Sequence, residues 1–425
     1  MFDIVIVGGG AAGFYAAIQI AERAPDLDIA IFERGKTVLS KVKVSGGGRC
    51  NVTHGEFSPK ELTAHYPRGE KELLGPFHKH SPMDVMDFFE SRGIPLKVEA
   101  DGRVFPKSDS SQSIIDCFLG EAQRLGVRVL RNSAVKAFKK TPEGWELTTM
   151  NKEYHGKKLL LATGSNPKIW QQLESMGHTI VPPLPSLFTF HINDDRLKGI
   201  QGISTWAEVE VPPKRLFAQR GDLNLRSQQK EEPLLRSEGP VLVTHWGLSG
   251  PAILRLSAWG ARLLADHKYN FRIQINWCPD YSQGSMEAYL REIKDTEAKK
   301  TVLRSLVVEL PRRLWTRLVA AAGILPEDRW AELSREKLQN LAKELTASSF
   351  RVEGKSPFKE EFVTAGGVAL KEINFKTMES KLHPGLYFAG EIIDVDAITG
   401  GFNFQNAWTG AYLAAQHISA PFPTT

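Results

Sequence analysis

This 425-residue sequence has little cysteine, no long hydrophobic run and little excess charge. Its three cysteines, Cys50, Cys117 and Cys278, are too few and too scattered for a disulfide framework or a zinc cluster, and there is no CxxC pair. No apolar stretch reaches about 18 residues without a charge or a glycine, so no transmembrane helix is predicted. With 42% hydrophobic and 24% charged residues, the composition excludes disordered, collagen-like and coiled-coil chains.

The N-terminus and the charge distribution bear on location and partners. Residues 4–20 are apolar, but Asp3 stands where a signal peptide carries positive charge and glycines interrupt the stretch, so we expect a cytoplasmic protein. Residues 186–350 carry 24 Lys and Arg against 20 Asp and Glu, which is a mild basic excess. We therefore expect a small-molecule substrate and neither a nucleic acid nor a membrane as partner, while the oligomeric state stays open.

The first 22 residues contain a glycine motif in a specific context. Residues 3–7 are a β-branched run typical of a central parallel strand, and residues 14–22 predict an alanine-rich helix. Between them, Gly8 is expected to make a tight turn, Gly10 to let the backbone approach a diphosphate and Gly13 to let the helix pack on the strand. The diphosphate is expected at the helix N-terminus, where free N–H groups and the helix dipole favour an anion.

A second strand, residues 28–32, ends at Glu33, 20 residues beyond Gly13. A carboxylate at this spacing accepts hydrogen bonds from the ribose hydroxyls of an adenosine. Strand, glycines, helix, strand and acid together predict a site for an ADP moiety, although this segment alone does not separate NAD from FAD.

Three further segments favour a flavin. Residues 41–53 form a second glycine-rich loop, whose arginine and asparagine offer hydrogen-bond donors for a diphosphate, a ribityl chain or a substrate. Residues 158–165 read as a buried strand that ends in a small turn. Residues 385–391 read as another short strand, followed by glycines and a helix over about 405–417. The N-terminus of that helix favours the negative charge of a reduced flavin ring.

The sequence resembles the FAD-binding enzymes grouped with aminoacetone oxidase. The resemblance covers residues 4–410 and is carried by IVGGGAAG, KVKVSGGGRCNVT, FPKSDSS, LLLATGS, VTHWGLSGPAIL, TAGGV and GLYFAGEIIDVDAITGGFNFQNAWTG. It implies a tightly bound, extended FAD with its adenosine near Glu33 and its ring near residues 400–405. The chain departs from the family pattern at Ala397-Ile398 and over residues 402–405, which bears on what stands over the ring.

The expected fold class is α/β, with a Rossmann-like FAD-binding domain of the glutathione-reductase type split by an inserted β-barrel-like domain that carries a small helical subdomain. The expected boundaries are 1–186 for the first part of the FAD domain, 187–280 for the β domain, 281–345 for the helices and 346–425 for the return, with the β domain closing near residue 355. A shift in composition at residues 181–185 marks the first boundary.

Local patterns predict the elements of the insert. The expected strands are Leu187–Ile192, Trp206–Val211, Arg215–Gln219, Val241–His245 and Phe271–Trp277. Residues 221–238 are polar and predict a hairpin or loop. Residues 286–345 have helical periodicity, with Pro311 at the first position of a helix over 312–322.

Motifs and resemblance together give the candidate FAD contacts. These are Gly8, Gly10, Ala11, Ala12, Gly13, Glu33, Arg34, Lys41, Ser45, Gly46, Arg49, Cys50, Asn51, Val135, Ala162, Thr163, Gly164, Gly390, Glu391, Asp394, Gly401, Phe402, Asn403 and Gln405.

One residue of the insert is a candidate acid or base. His245 lies in the glycine-rich segment 244–251, although a helix that starts after Ser249 at Pro251 needs no catalytic role. Cys50 is either a redox thiol beside the flavin or a small packed side chain. His78 and His80 lack further ligands nearby and are expected on the surface.

The acidic residues after the last strand do not predict a metal site. Glu391, Asp394 and Asp396 are close in sequence, but their position after a strand favours ribityl contact and helix capping, so no metal is expected. There is also no second strand–GxGxxG–helix unit, so a dedicated nicotinamide domain is absent, and transient binding of NADH or NADPH as donor stays open.

The expected function is an FAD-dependent oxidoreductase that passes a hydride between flavin N5 and a small organic substrate. The resemblance implies either oxidation of an amine such as aminoacetone or nicotinamide-driven reduction of an enone. Two alternatives remain: an RNA-modifying flavoprotein that acts on tRNA, suggested by Arg304, Arg312, Arg313 and Arg317, and a flavin-holding protein without turnover.

Overall fold

The computed structural model describes residues 1–213, 234–355 and 363–420. The strands are β1 Phe2–Val7, β2 Ile29–Phe32, β3 Thr53–His54, β4 Leu96–Val98, β5 Arg103–Pro106, β6 Arg128–Leu130, β7 Ala137–Thr141, β8 Gly144–Thr148, β9 Glu153–Leu161, β10 Ile180–Ser186, β11 Phe190–His191, β12 Ser204–Val211, β13 Leu235–Val243, β14 Gly247–Ser249, β15 Asn270–Asn276, β16 Ser348–Glu353, β17 Val363–Val368, β18 Ile373–Asn374, β19 Glu379–Ser380 and β20 Leu386–Phe388. The helices are α1 Ala11–Arg23, α2 Ser40–Val44, α3 Pro59–Thr63, α4 Glu70–Phe77, α5 Pro82–Glu90, α6 Ser111–Arg124, α7 Pro167–Ser175, α8 Pro251–Trp259, α9 Ala261–Asp266, α10 Gln283–Thr296, α11 Arg312–Ala321, α12 Arg335–Thr346 and α13 Phe402–Ile418.

The chain forms two compact units. The first combines Met1–Leu184 with Thr364–Thr425, and the second is Pro185–Val363. The chain therefore leaves the first unit two residues before the predicted end at 186. Strand β16 pairs with β15 and completes the sheet of the second unit, so the chain does not return to the first unit at residue 346. The predicted closing of the β domain near residue 355 agrees with the end of β16 at Glu353.

The first unit contains a parallel sheet with the strand order β20-β9-β1-β2-β6. Strands β1 and β2 pair in register from Ile4 with Ile29 to Val7 with Phe32. Both strands lie at the centre of the sheet, and their β-branched side chains are buried on both faces. The antiparallel strands β18 and β19 extend one edge, and the β7–β8 hairpin joins β9.

Helices α1 and α13 pack against each other, and both are buried on nearly all sides. The ring centroids of Tyr15 and Trp408 are 5.2 Å apart across this contact. Small side chains such as Ala16 and Ala17 are fully buried, which lets the helix approach its neighbours closely. The predicted helices over 14–22 and 405–417 are both confirmed, each starting three residues earlier than predicted.

The second unit is an antiparallel sheet with the order β11-β14-β13-β12-β15-β16. Its end strands approach each other, because Phe190 bridges Lys355 and the N–H of His191 donates to the carbonyl of Gly354 at 3.0 Å. This near closure confirms the barrel-like insert. One hydrophobic core is shared by this sheet, α8 and the helices α10 to α12.

Local predictions for the insert had mixed outcomes. The runs 206–211 and 271–277 are found within β12 and in β15, shifted by one or two residues, whereas the run 187–192 contains only the short β11. The run 241–245 is confirmed over residues 241–243, where β13 ends, and β13 extends back to Leu235. Residues 235–238 pair antiparallel with β12, which agrees with the hairpin and not with the loop that was predicted for residues 221–238. The run 215–219 and the rest of that loop, residues 221–233, lie outside the described residues.

Three α-helices lie in the range predicted to be helical. Pro311 is the N-cap of α11 and not its first residue, because the helix begins at Arg312. Across the described ranges, no helix has both the length and the apolar character needed to cross a bilayer.

Candidate functional site

The first glycine turn joins β1 to α1. Gly8 has φ +117°, and a Cβ there would lie 2.3 Å from the carbonyl oxygen of Ala162. Only glycine fits this turn, because both the backbone conformation and the space exclude a side chain. A Cβ on Gly13 would lie 2.0 Å from the Gly8 carbonyl oxygen, so this second glycine lets α1 pack onto the turn.

Helix α1 begins at Ala11, which Ala12 follows, and Gly10 is its N-cap. Gly10 provides no side-chain cap, and nothing lies within 4 Å of a Cβ built there. No side chain therefore covers this point of the turn, and free N–H groups together with the helix dipole favour an anion such as a diphosphate there.

Glu33 lies at the end of β2, beside this turn. Its Oε2 accepts the backbone N–H of Gly9 at 2.9 Å, and its Oε1 accepts the N–H of Gly35 at 2.7 Å. The carboxylate is thus fixed by two backbone donors, and its remaining lone pairs can accept ribose hydroxyls. Arg34 is exposed, and Val135 is half-buried in the loop after β6.

Further predicted residues come together near the N-terminus of α1. Gly390 follows β20, and a Cβ there would lie 3.4 Å from the Cβ of Ala12. The Glu391 carboxylate forms an ion pair with Lys41 and lies 3.7 Å from a Cβ built on Gly164. Ala162 and Thr163, which follow β9, contact Gly8, so these three segments lie together with the first turn.

The second glycine-rich loop is a short 3₁₀ turn over Ser45–Gly48. Gly46 has a left-handed conformation, and the N–H of Cys50 donates to the Ser45 carbonyl at 3.0 Å. The Cys50 side chain is fully buried, and this burial raises the pKa of its thiol to about 12. A protonated, enclosed thiol is a poor nucleophile, which favours the packing interpretation of Cys50 over the redox one.

Arg49 has a different set of partners from its neighbours in the loop. Its guanidinium donates to Glu99 at 2.7 Å, lies 3.5 Å from Asp109 and stacks 3.9 Å above the ring of Phe105. These two carboxylates raise the pKa of Arg49. The donor predicted for a diphosphate, a ribityl chain or a substrate is therefore held by carboxylates on the β3-β5-β4 side of the loop, and cofactor contact by Arg49 stays a prediction.

The N-terminus of α13 is the second helix terminus of the site. Gly401 has φ +95°, and a Cβ there would lie 2.4 Å from the carbonyl oxygen of Thr53 and 2.9 Å from Oδ1 of Asn51. That Oδ1 atom is buried and has no hydrogen-bond partner among the described residues. A buried acceptor is costly unless a donor reaches it, so Asn51 fits a bound group that donates a hydrogen bond.

Phe402, the first residue of α13, packs against two histidines whose own ring centroids are 5.9 Å apart. Its ring centroid is 4.5 Å from that of His54 and 4.2 Å from that of His65, and both pairs are stacked. The Tyr66 hydroxyl donates to the carbonyl of Phe402 at 2.5 Å, and burial lowers the pKa of His54. His54, His65 and Tyr66 were not predicted from the sequence, since no motif joins them to a residue more than 300 positions away.

Asn403 and Gln405, both predicted to contact FAD, form hydrogen bonds within the protein. The Asn403 amide both donates to and accepts from the backbone of Ala397 at 3.0 Å, which fixes the loop before α13. Gln405 is fully buried, accepts from Thr53 at 2.5 Å and donates to Thr409 at 3.0 Å. Gln405 therefore has a structural role in joining Thr53 and the loop at His80 to α13, and its contact with the cofactor stays a prediction.

The acidic residues after β20 separate in space. Asp396 is fully buried and forms a two-contact ion pair with Arg68, while Glu391 pairs with Lys41. Asp394 is also buried. Two of the three acids are therefore neutralised by basic side chains, and no cluster suited to a metal ion occurs in the described parts of the chain.

His80 is buried, contrary to the surface expectation, whereas His78 is exposed. Nε2 of His80 lies 2.8 Å from the Tyr15 hydroxyl, and its imidazole stacks on Tyr412 at 4.1 Å. Burial lowers the pKa of His80 to about 4. This histidine joins the loop before α5 to α1 and α13.

His245 belongs to the second unit. It is exposed in the tight turn between β13 and β14, where the N–H of Thr244 donates to the carbonyl of Gly247 at 2.8 Å. Ser249 does not cap α8; its Oγ accepts a hydrogen bond from Thr189 at 2.9 Å, and Gly250 is the N-cap. The helix does begin at Pro251, as predicted.

The strand–turn–helix start, the fixed carboxylate of Glu33 and the second helix terminus are the features of a dinucleotide-binding flavoprotein, and the buried Asn51 acceptor fits bound FAD. The chain belongs to the family described as HI0933-like protein Rossmann domain, which it matches over residues 2–417. It is an FAD-dependent oxidoreductase.

Two curated relatives and one solved structure are similar to this chain over nearly its whole length. It is 29% identical to the ribosomal RNA dihydrouridine synthase of Escherichia coli K12, over 99% of this chain and 98% of the relative. It is 26% identical to the 3-dehydro-bile acid delta(4,6)-reductase of Clostridium scindens, over 98% of each chain. The 3-ketosteroid-delta4-(5alpha)-dehydrogenase of Rhodococcus jostii RHA1 shares the fold, with TM-score 0.50, 13% identity and coverage of 97% and 96% of the two chains.

Proposed function

We propose that this protein reduces a carbon–carbon double bond conjugated to a carbonyl group, and that a uracil base in RNA is the first substrate to test. The supporting observation is that two relatives matched over nearly the whole chain have names that describe reactions at a carbon–carbon double bond. Dihydrouridine is uridine with a saturated 5,6 bond beside its 4-carbonyl, and a delta(4,6)-reductase acts on carbon–carbon double bonds. The substrates differ, but the chemistry is the same.

Such a reduction adds a hydride to the carbon β to the carbonyl and a proton to the α carbon. Bound FAD supplies the hydride after reduction by a donor, for which NADH or NADPH is the first choice. The protein supplies binding and electrostatics. Gly8 and Gly10 open the α1 terminus to the diphosphate, Glu33 holds the adenosine ribose, and the α13 terminus beside Gly401 stabilises negative charge.

Burial of the site residues supports the same assignment. Asn51 is nine-tenths buried and Phe402 almost completely buried, so groups bound beside them are shielded from water. Electrostatic interactions are stronger in such a low-dielectric environment.

The first experiment is the anaerobic visible spectrum of the purified protein before and after NADH or NADPH. Rapid bleaching supports a nicotinamide-driven reductase. The reduced protein is then offered unmodified ribosomal RNA and, separately, a 3-keto-4,6-diene steroid. We expect reoxidation of the flavin together with a mass gain of two hydrogens on a uridine nucleoside.

A bile-acid-like enone is the second candidate, since the Clostridium scindens relative covers the chain as fully as the RNA-directed one. If the protein instead oxidises aminoacetone, as its sequence resemblance implies, the flavin spectrum should respond in the opposite way. In that case the nicotinamides leave the flavin yellow, and aminoacetone bleaches it without oxygen. Bleaching by dithionite alone contradicts all three activities and supports a flavin-holding protein.

A further inference from the structure

We propose that an exposed arginine surface on the second unit binds the phosphate backbone of RNA. This surface, here called the arginine face, consists of Arg304, Arg312, Arg313 and Arg317. The inference rests on the proposed function, in which the reduced base belongs to an RNA chain. It gives that substrate a docking surface on the second unit, and it departs from the composition, which did not favour a nucleic acid.

The arginine face is built on α11 and a neighbouring turn. Leu314, Trp315 and Leu318 of α11 are buried in the core of the second unit, which leaves the arginines on the solvent side. Arg313 and Arg317 are four residues apart, so their side chains are neighbours on the helix surface. The 3₁₀ turn Val302–Arg304 contacts α11 and adds Arg304 to the same region.

The four arginines have no carboxylate partners in the described residues. Elsewhere in the same unit, Arg196 pairs with Asp194 and Glu344, and Arg236 pairs with Glu208. Of the acids near α11, Asp195 pairs with Lys198 at 2.6 Å. Glu309 is exposed two residues before Pro311. Asp328, whose carbonyl accepts the N–H of Val302 at 3.1 Å, pairs with Lys337. The arginines outnumber these acids, so the surface is net positive.

These positions are unfavourable for the stability of α11 itself. Arg312 and Arg313 are its first two residues, and its first turn contains no acidic residue. The helix dipole disfavours cations there, so intrahelical electrostatics do not account for the arrangement. A guanidinium offers a planar pair of donors that matches phosphate, which makes an arginine cluster suitable for a nucleic-acid backbone.

The test compares two triple variants of the holoenzyme. The first is Arg304→Gln/Arg312→Gln/Arg313→Gln; Arg317 is left unchanged because its Nη2 donates to the carbonyl of Lys198 at 2.7 Å. The matched control is Arg255→Gln/Arg272→Gln/Arg335→Gln, which removes the same charge from exposed arginines on α8, β15 and α12. The binding probe is a fluorescein-labelled RNA hairpin with a uridine loop, followed by anisotropy over a series of NaCl concentrations.

For the arginine-face variant we expect about 10²-fold weaker binding at about 0.1 M salt and a log–log salt slope reduced by about 2, because three phosphate contacts are lost. The control variant should bind within a few fold of the parent protein. An unchanged salt slope in the arginine-face variant overturns the proposal, as does equal loss in both variants.

Two further readouts separate this inference from the proposed function. Reduction of a small 3-keto-4,6-diene, free of phosphate, should proceed equally in the parent protein and in both variants. If the parent protein reduces that enone but fails to bind the hairpin, the arginine face is overturned while conjugated-bond reduction stands. If the parent protein instead binds vesicles of phosphatidylserine and phosphatidylcholine and not the hairpin, a membrane replaces RNA as the partner and the proposal is wrong.

Discussion

Oε2 of Glu33 accepts the backbone N–H of Gly9 at 2.9 Å, which joins the end of the second parallel strand to the first glycine turn. The two residues are 24 positions apart, yet each fixes the other beside the N-terminus of α1. The carboxylate predicted to accept the ribose hydroxyls and the turn predicted to receive the diphosphate are therefore one connected arrangement.

Substitution of Glu33 by alanine should weaken FAD binding by about 10- to 10²-fold, since charge-assisted hydrogen bonds contribute about 1.5–3 kcal/mol. Glu33→Gln should be intermediate, because it keeps an acceptor and loses the charge. The measurement is the FAD content of purified protein and the dissociation constant from flavin fluorescence. Glu143→Ala, on an exposed turn, is the control. Full FAD occupancy in Glu33→Ala would refute the role.

Gly401→Ala should lower stability by about 1–3 kcal/mol and reduce FAD content, because the left-handed backbone and the Thr53 carbonyl at 2.4 Å leave no room for a methyl group. Gly120→Ala is the comparison, since it lies exposed within α6 with open space around it. That change should raise stability by up to about 1 kcal/mol. Urea unfolding of both variants, with and without added FAD, measures the difference; equal effects contradict the assignment.

Asp396→Asn should destabilise the protein by about 3–5 kcal/mol, because the fully buried carboxylate would no longer balance the charge of the nine-tenths buried Arg68 in their two-contact ion pair. The exposed pair Lys97–Asp109 provides the contrast. Asp109→Asn should have a much smaller effect, since solvent screens the contacts of this exposed carboxylate with Lys97 and Arg49. Chemical denaturation at neutral pH compares the two; a small effect at Asp396 means that the buried pair is dispensable.

Stability should fall as pH decreases through 6.5 toward 4. Burial lowers the pKa of His80 to about 4 and also lowers those of His54 and His178, so the unfolded chain binds more protons than the folded one in this window. His80→Gln should reduce the slope of stability against pH by up to about 1.4 kcal/mol per pH unit. His78→Gln, at an exposed neighbour, should leave it unchanged. Equal slopes in all three proteins refute a contribution from His80.

Replacement of Arg312 and Arg313 by glutamine should leave the fold intact and raise stability slightly, by about 0.3–1 kcal/mol per residue at low salt, because cations at a helix N-terminus oppose its dipole. Thermal unfolding at low and high salt is the measurement, and the gain should shrink as salt screens the interaction. A marked loss of stability would show that these arginines hold the second unit together.

The sequence alone determined the parts of this protein that depend on local chemistry. Adjacent residues supply the β-branched strand, the Gly8–Gly13 turn, the helix and the acid Glu33, so spacing was sufficient to predict the ADP site and the Rossmann class. The later strand and helix over 385–417 were placed in the same unit by their resemblance to a known pattern. The insert was foreseen as barrel-like for the same reason.

The tertiary structure decided every relationship between distant segments. Whether His80 is buried depends on α1 and α13, and whether Asp396 could hold a metal depends on Arg68, more than 300 residues away in the chain. The stack of His54, Phe402 and His65 and the enclosed thiol of Cys50 likewise arise only when three separate segments pack together. Burial and pairing are properties of the packed chain, and spacing in the sequence does not encode them.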